Sequence, residues 1–197
     1  MNFKLTSLLR KTYAKKPRAE AIFYYVYGVF YSNTYRTKYA EFLKTDFPRV
    51  PFTSDYNLFI KMGKMGKKLV KLHLMKSEEL KNPIAKFQGD GDNTVKKPEY
   101  DEKEGRVHIN RTQFFEGIEK HVWDCRIGGY QVLSKWLNYR RGRKLTLEDI
   151  KHYCKVVTAL KRTNEIQEEI DKLYPDVEKN VIVFKEDNNV NLEKYSK

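Results

Sequence analysis

Cysteine is almost missing from this chain of 197 residues, with Cys125 and Cys154 the only two. That excludes a disulfide-stapled scaffold and suits a reducing compartment. Long apolar runs are missing too. The most apolar stretch, AIFYYVYGVFY at 21–31, falls far short of the roughly 20 residues that cross a bilayer. Met1 to Ala14 contains no apolar run of signal-peptide type. The expectation is a soluble, cytoplasmic protein with no membrane partner. There is no internal repeat and no low-complexity tract. A chain this long buries roughly 70% of its unfolded surface and needs no metal staple. One domain over 1–197 is expected, with its core over 18–175 and with 1–17 and 185–197 peripheral.

Catalytic signatures are equally scarce. Neither a GxGxxG fingerprint nor a GxxxxGK[ST] loop occurs, and MGKMGKK at 62–68 has its glycines and lysines at the wrong spacing. No NPPY-type methyltransferase motif occurs; KNPIAKF shares only its Asn-Pro. His152 and Cys154 lie two apart and face different sides of a helix, and His121 with Cys125 is a weak pair. Glu99, Asp101, Glu102 and Lys103 resemble a nuclease cluster only in composition, and a solvated charged loop explains them better. No catalytic residue and no metal ligand is assigned.

Acid is well outnumbered by base. Lys and Arg number 39 against 26 Asp and Glu, for a net charge of +13. Such an excess favours a polyanionic partner. It is also unevenly spread. Residues 1–18 carry +6, residues 33–76 carry +7 and residues 131–162 carry +7, with near-neutral or acidic stretches between them. The plain alternative is a set of solvated, lysine-rich helix faces. Aromatics are plentiful, with 14 Tyr, 11 Phe and 2 Trp. Most belong in a core, and an exposed tyrosine could stack on a base.

The apolar spacing predicts a helix over 18–31, broken at Ser32-Asn33, and a second over 35–44. DFPRVPF at 46–52 is extended, because two prolines bracket Arg49 and Val50. A third helix runs over 55–75, capped by Ser54 or Thr53. Gly63 and Gly66 inside it each cost about 1 kcal/mol against alanine, so they point to a second backbone packed close. Short strands are expected over 84–87 and 94–97, with QGDGDN as the hairpin turn between them. Further strands are expected over 106–110 and 121–129. Gly128-Gly129 then turns the chain into a helix over 130–138, with Val132, Leu133, Trp136 and Leu137 inward. Thr146 and Asp149 form the start of a long helix that Pro175 should stop at about Leu173. NVIVF at 180–184 is a last strand. The fold class is α+β, mostly helical, with a small, largely antiparallel central sheet.

Four stretches, in order, resemble a known family: IFYYVYGVFYSNTYRTKYAEFLKTDFPRVPF (22–52), LFIKMGKMGKKLVKLHLM (58–75), RVHINRTQFFEGI (106–118) and VWDCRIGGYQVLSKWLNYRRGRKLTLEDIKHYCKVVTAL (122–160). Together they are similar to the C-terminal target-recognition (specificity) region of type ISP single-chain restriction-modification enzymes. The ordered set carries the resemblance; no single stretch is a mechanistic motif. The resemblance implies a non-catalytic domain that reads double-stranded DNA and positions linked adenine methyltransferase and nuclease domains. S-adenosylmethionine, Mg²⁺ and, where a motor is present, ATP would belong to those other parts.

Within that reading, Arg140, Arg141, Arg143 and Lys144 are phosphate-binding candidates, because they precede a capped helix start. Lys64, Lys67, Lys68 and Lys71 form a second candidate row, with the polar face of an amphipathic helix as the plain alternative. Arg49, held between prolines, contacts DNA or caps a neighbouring helix. Base reading needs Arg or Lys for guanine and Asn or Gln for adenine. Gln88, Asn93, Asn110, Arg111, Gln113 and Arg126 are the candidates. Competing readings are a module that docks onto a methyltransferase with only non-specific nucleic-acid contact, an RNA-binding module without an RNP1 run or GXXG loop, and a free-standing enzyme.

Overall fold

The computed structural model describes residues 3–183. Phe184 and the tail at 185–197 lie outside the described residues. In chain order the elements are α1 (Phe3–Tyr13), α2 (Ala19–Tyr31), α3 (Asn33–Lys38), α4 (Phe42–Thr45), α5 (Tyr56–His73), β1 (Lys86–Gln88), β2 (Glu99–Asp101), β3 (Arg106–His108), β4 (Phe114–Glu116), α6 (Lys120–Trp123), β5 (Arg126–Ile127), β6 (Tyr130–Gln131), α7 (Val132–Asn138) and α8 (Leu147–Lys179). The class is the expected one: mostly helical, with a four-stranded antiparallel sheet in the order β1-β4-β3-β2 and a separate two-stranded ribbon, β5-β6.

Two apolar clusters share one helix. The first gathers Leu9, Tyr25, Phe59, Met62, Leu69 and Leu72 around Ile166, Ile170 and Tyr174 of α8. The second gathers Val107, Phe115, Val122, Leu133 and Leu137 around Tyr153 and Val157 of the same helix. In the sheet, Phe87 and Val107 both stand opposite Phe115, and Tyr100 stands opposite Val107. This row forms the inner face, and the Phe115 ring lies 4.3 Å from that of Tyr153. Helix α1, from the stretch expected at the periphery, sends Leu9 and Tyr13 into the first cluster.

Helices α2 and α5 meet at the glycines. A Cβ on Gly66 would stand 1.8 Å from the Tyr24 carbonyl oxygen, and one on Gly28 would stand 2.9 Å from that of Met62. The close approach expected from glycines inside a helix is therefore present, and Gly66 is its centre. The cap of α5 is Asp55, whose carboxylate accepts from the N–H groups of Asn57 and Leu58. Thr53 is buried beneath it and accepts from the Asp55 N–H.

Elsewhere local pattern and structure part company. The helix expected over 35–44 is two short helices, α3 and α4, with a turn between. The Tyr35 hydroxyl donates to the Arg49 carbonyl, and that of Tyr39 to Glu178 on α8. These long-range anchors outweigh continuation of one helix. QGDGDN is not the turn of a hairpin, because β1 pairs with β4 and the 94–97 stretch does not pair with β1. Instead the Val95 N–H donates to the Arg143 carbonyl, and Thr94 forms a lone bridge with Lys144. Strands β2 and β4 went unanticipated; each is three residues long, with Phe115 buried at the centre of β4 and Tyr100 half-buried at the centre of β2. The 121–129 stretch is α6 followed by β5 rather than one strand, because Val122 is fully buried from a single helical turn. At the last expected strand, Val181 makes a lone bridge with Thr53, and the Ile182 N–H donates to the Phe52 carbonyl.

Helix α8 starts where expected and ends later. The Thr146 hydroxyl accepts from the Asp149 N–H, and the Asp149 carboxylate accepts from the Thr146 N–H, a reciprocal capping box. Pro175 lies inside the helix, which runs on to Lys179. The missing N–H leaves the Asp171 carbonyl without its helical partner. Fully buried Tyr174 and Val177 offset that loss. Thr146→Ala is expected to destabilise the chain by about 1 kcal/mol in urea unfolding. The Asp149 carboxyl is held below its ordinary range by the Thr146 backbone and hydroxyl hydrogen bonds and by Arg140. Its contribution is therefore full above the ordinary carboxylate pKa and fades as the pH falls below it. Thr146→Ala should consequently cost less in acid than at neutrality.

Candidate nucleic-acid interface

Residues 125–147 contain six Lys and Arg and no Asp or Glu. This stretch folds as the β5-β6 ribbon, α7 and the turn leading into α8. The four cations of the turn are not equivalent. The Arg140 guanidinium lies 3.5 Å above the Trp136 ring, donates to the Trp136 carbonyl and pairs with Asp149 at 3.4 Å. It locks the turn onto the start of α8. Arg141 is exposed and donates to the Asn138 side chain at 3.2 Å. Arg143 is exposed, and its carbonyl holds Val95. Lys144 is exposed, with its ammonium 3.8 Å from Asp92. A cleft of about 250 Å³ is lined by Tyr139, Arg140, Arg143, Lys144, Leu145 and Asp149.

On α5, Lys64, Lys67, Lys68 and Lys71 are all exposed, and helical spacing puts them on one face. Lys61 extends the row by a turn. Lys64 and Lys67 also border a groove of about 400 Å³ with Lys16 and Arg18, floored by Tyr24, Tyr56 and Ile60. The first two basic blocks of the sequence therefore converge in space. Sequence reading missed Lys61, one turn before Lys64 on the same helix, and missed Lys16 and Arg18, since only the packing of the α1–α2 link against α5 brings the blocks together.

The two patches lie apart along α8. The Ser54 N–H donates to the Asn180 carbonyl, and His73 meets the Thr163 hydroxyl at 3.0 Å, so α5 runs antiparallel beside the second half of α8. The lysine row thus stands beside residues near 165–172, and the basic turn stands at Asp149. At about 1.5 Å per residue this separation is about 25–35 Å along the helix.

The base-reading candidates divide sharply. Gln113 is 2% exposed. Its amide oxygen accepts from the Asn93 N–H and the Asn110 side chain, and its amide nitrogen donates to Asn93. Asn110 also donates to the Thr94 carbonyl. Asn93 sits at a φ of 62°, and its carbonyl accepts from Leu145. These three amides are occupied with one another and hold the 90–95 loop against the basic turn. Gln88 is exposed and donates to Glu116. Arg126 is exposed and donates to the Gly129 carbonyl. Arg111 is exposed on the rim of a cleft of about 660 Å³, with Lys96, Lys97, Tyr100 and His108. Arg49 has an 82% exposed side chain, 4.0 Å from Asp46 and over the Phe42 ring, and caps no helix.

Other chemistry is thin among the described residues. Asp101, Glu104 and His108 bring ligand atoms within 4.8 Å of one another. The Asp101 carboxylate already accepts from the backbone of Lys103 and Glu104, and Glu104 pairs with Arg106. That arrangement explains the trio as a closed β2–β3 turn. Cys125 and Cys154 are both free thiols, each pushed up by burial. No described helix is long and apolar enough to cross a membrane.

A family model for the Type ISP C-terminal specificity domain matches residues 2–169. The chain belongs to that family. No curated protein sequence matches it. Among solved structures, the specificity domain resembles part of a nuclease-deletion mutant of the Type ISP restriction-modification enzyme LlaGI, in complex with a DNA substrate mimic. Identity there is 24% and the TM-score 0.60, over 79% of this chain and 14% of that one. It also resembles part of the ATP-dependent Type ISP restriction-modification enzyme LlaBIII bound to DNA, at 21% identity and a TM-score of 0.64, over 86% and 12% of the two chains. A DrdV–DNA complex matches at 20% identity and a TM-score of 0.61, over 84% and 19%. At these identities the likeness speaks for the fold. The specificity domain spans less than a fifth of each of these longer chains.

Proposed function

We propose that this chain recognises double-stranded DNA by sequence, as the specificity domain of a cytoplasmic restriction-modification enzyme, and that it has no catalytic activity of its own. The supporting observation is the gathering of the three basic blocks into two patches about 25–35 Å apart along α8. One turn of B-form duplex is about 34–36 Å, so a duplex laid along the domain offers phosphates to both patches. The patches hold register without reading sequence. We assign phosphate contact to Arg141, Arg143, Lys144 and the α5 row with Lys16 and Arg18. Arg140 is a positioning residue beneath them. Base reading falls to the exposed Arg111, Arg126 and Gln88 rather than to the occupied amides of Asn93, Asn110 and Gln113.

The methyltransferase and nuclease would be other domains of the same enzyme. They would take S-adenosylmethionine and Mg²⁺, and a motor domain, where present, would take ATP.

The test is selection from a randomised duplex pool at two salt concentrations, followed by sequencing of what the chain retains. The expected result is an enriched motif, bound more weakly at the higher salt. Salt-dependent retention with no enrichment would leave a basic clamp and overturn sequence reading. No retention even at low salt would favour a module that docks onto the methyltransferase.

A further inference from the structure

The β5-β6 ribbon is the least supported part of the acid-free stretch. Residues 126–130 are all exposed. Gly128 and Gly129 have φ of 56° and 81°, as a type I′ turn requires, and a Cβ on either would meet nothing within 4 Å. Ile127 and Tyr130 stand opposite each other on either side of that turn. They are 54% and 61% exposed. Ile127 stands at the lip of a groove with Phe30, Met75 and Val132 but is not enclosed by it. The Lys135 ammonium lies 5.2 Å from the Tyr130 ring centroid and 5.6 Å from that of Tyr139.

An apolar pair this exposed at a tight turn adds little to the core and is open to a partner. The shape and charge of the surroundings select the partner. The tip is narrow, and a two-stranded ribbon fits the roughly 12 Å major groove of a duplex. The charges nearest the tip are cationic, Arg126 in the ribbon and Lys135 beside the Tyr130 ring, while Asp124 before β5 is paired with Lys120. Proteins that deform DNA insert apolar side chains between base steps, at a cost of a few kcal/mol per step.

We propose that Ile127 and Tyr130 form an apolar wedge that enters a duplex between adjacent base pairs and unstacks that step. The cations of α7 and of the basic turn hold the flanking phosphates. Flexible pyrimidine–purine steps are the favoured point of entry. The proposal rests on the DNA-binding reading and adds to it a deformation that phosphate clamping does not require.

Permanganate, which oxidises unstacked thymines, provides the test. The full chain is bound to duplexes retained from the randomised pool or, if none is enriched, to a duplex rich in TA steps. The expected result is enhanced oxidation at one or two adjacent thymines, by about fivefold or more. Ile127→Ala with Tyr130→Ala should abolish the enhancement, leave the unfolding midpoint unchanged and weaken binding less than about tenfold. Ile127→Leu with Tyr130→Phe should retain it. Binding without enhancement, or enhancement that survives the double alanine variant, overturns the wedge and leaves the DNA-binding reading standing. Unchanged binding by the double alanine variant, with no enhancement in either protein, overturns the wedge and places the ribbon outside the duplex contact. No binding by the unaltered chain at low salt sinks both readings.

Discussion

Gly66→Ala is expected to lower the thermal unfolding midpoint of the specificity domain by about 6–12 °C. The added methyl would fall 1.8 Å from the Tyr24 carbonyl oxygen and 2.9 Å from the Gly28 nitrogen. Both are backbone atoms, so no side chain can swing away and the two helices must separate. Overpacking against side chains costs about 1–3 kcal/mol, and a backbone collision belongs at the top of that range or above it. Separation would also loosen Met62 and Leu69, which are fully buried in the same seam. Gly63 is the control. Its added methyl would lie 3.6 Å from the Ala21 carbonyl oxygen, an ordinary contact. Gly63→Ala should stabilise the domain by up to about 1 kcal/mol through helix propensity. Differential scanning calorimetry of the two variants checks both signs. Equal effects would show that the α2–α5 seam is not the tight contact described.

Neutralising Arg141, Arg143 and Lys144 together is expected to weaken binding to every duplex by about 10–100-fold at physiological salt. The unaltered domain should show a slope of log affinity against log salt of about −5 to −7, corresponding to six to eight phosphates. The triple variant should show a slope shallower by about 2–3. Arg140 is left in place deliberately. Its guanidinium covers Trp136 and pairs with Asp149, so removing it would disturb the start of α8 as well as the charge. Fluorescence anisotropy on two unrelated duplexes over a salt series gives both quantities. A flat salt response sinks the phosphate assignment. Loss confined to one duplex would mean that these side chains read bases.

The long helices were legible because their signals are local. A capping box at Thr146, prolines around Arg49 and apolar spacing on α2 and α5 act within a few residues of one another. The sheet was much less legible. Its strands are three residues long, and a strand of that length takes its identity from its partner. FFE at 114–116 is a strand because Phe115 lies between Phe87 and Val107, a fact absent from its own neighbourhood. The candidate site was legible as charge and illegible as geometry. Composition marked out the three basic blocks, but not the convergence of two of them. Residue type made Asn93, Asn110 and Gln113 attractive as readers. A buried amide such as that of Gln113, however, must find partners, and it found the half-buried Asn93 and Asn110.

Sharing α8 between the two clusters makes that helix a gauge as well as a support. With 33 residues it is about 50 Å long, and it holds the basic turn at one end and the lysine row alongside the other. One residue inserted in its middle would move the ends apart by only about 1.5 Å, yet rotate one against the other by about 100°. A two-turn insertion of seven residues would nearly restore their phase and lengthen the span by about 10 Å, or about three base pairs. On the proposed duplex-binding reading, the length of α8 counted modulo the helical repeat would set which stretches of duplex the two patches can grip at once. Site length would accordingly change in steps rather than by single residues.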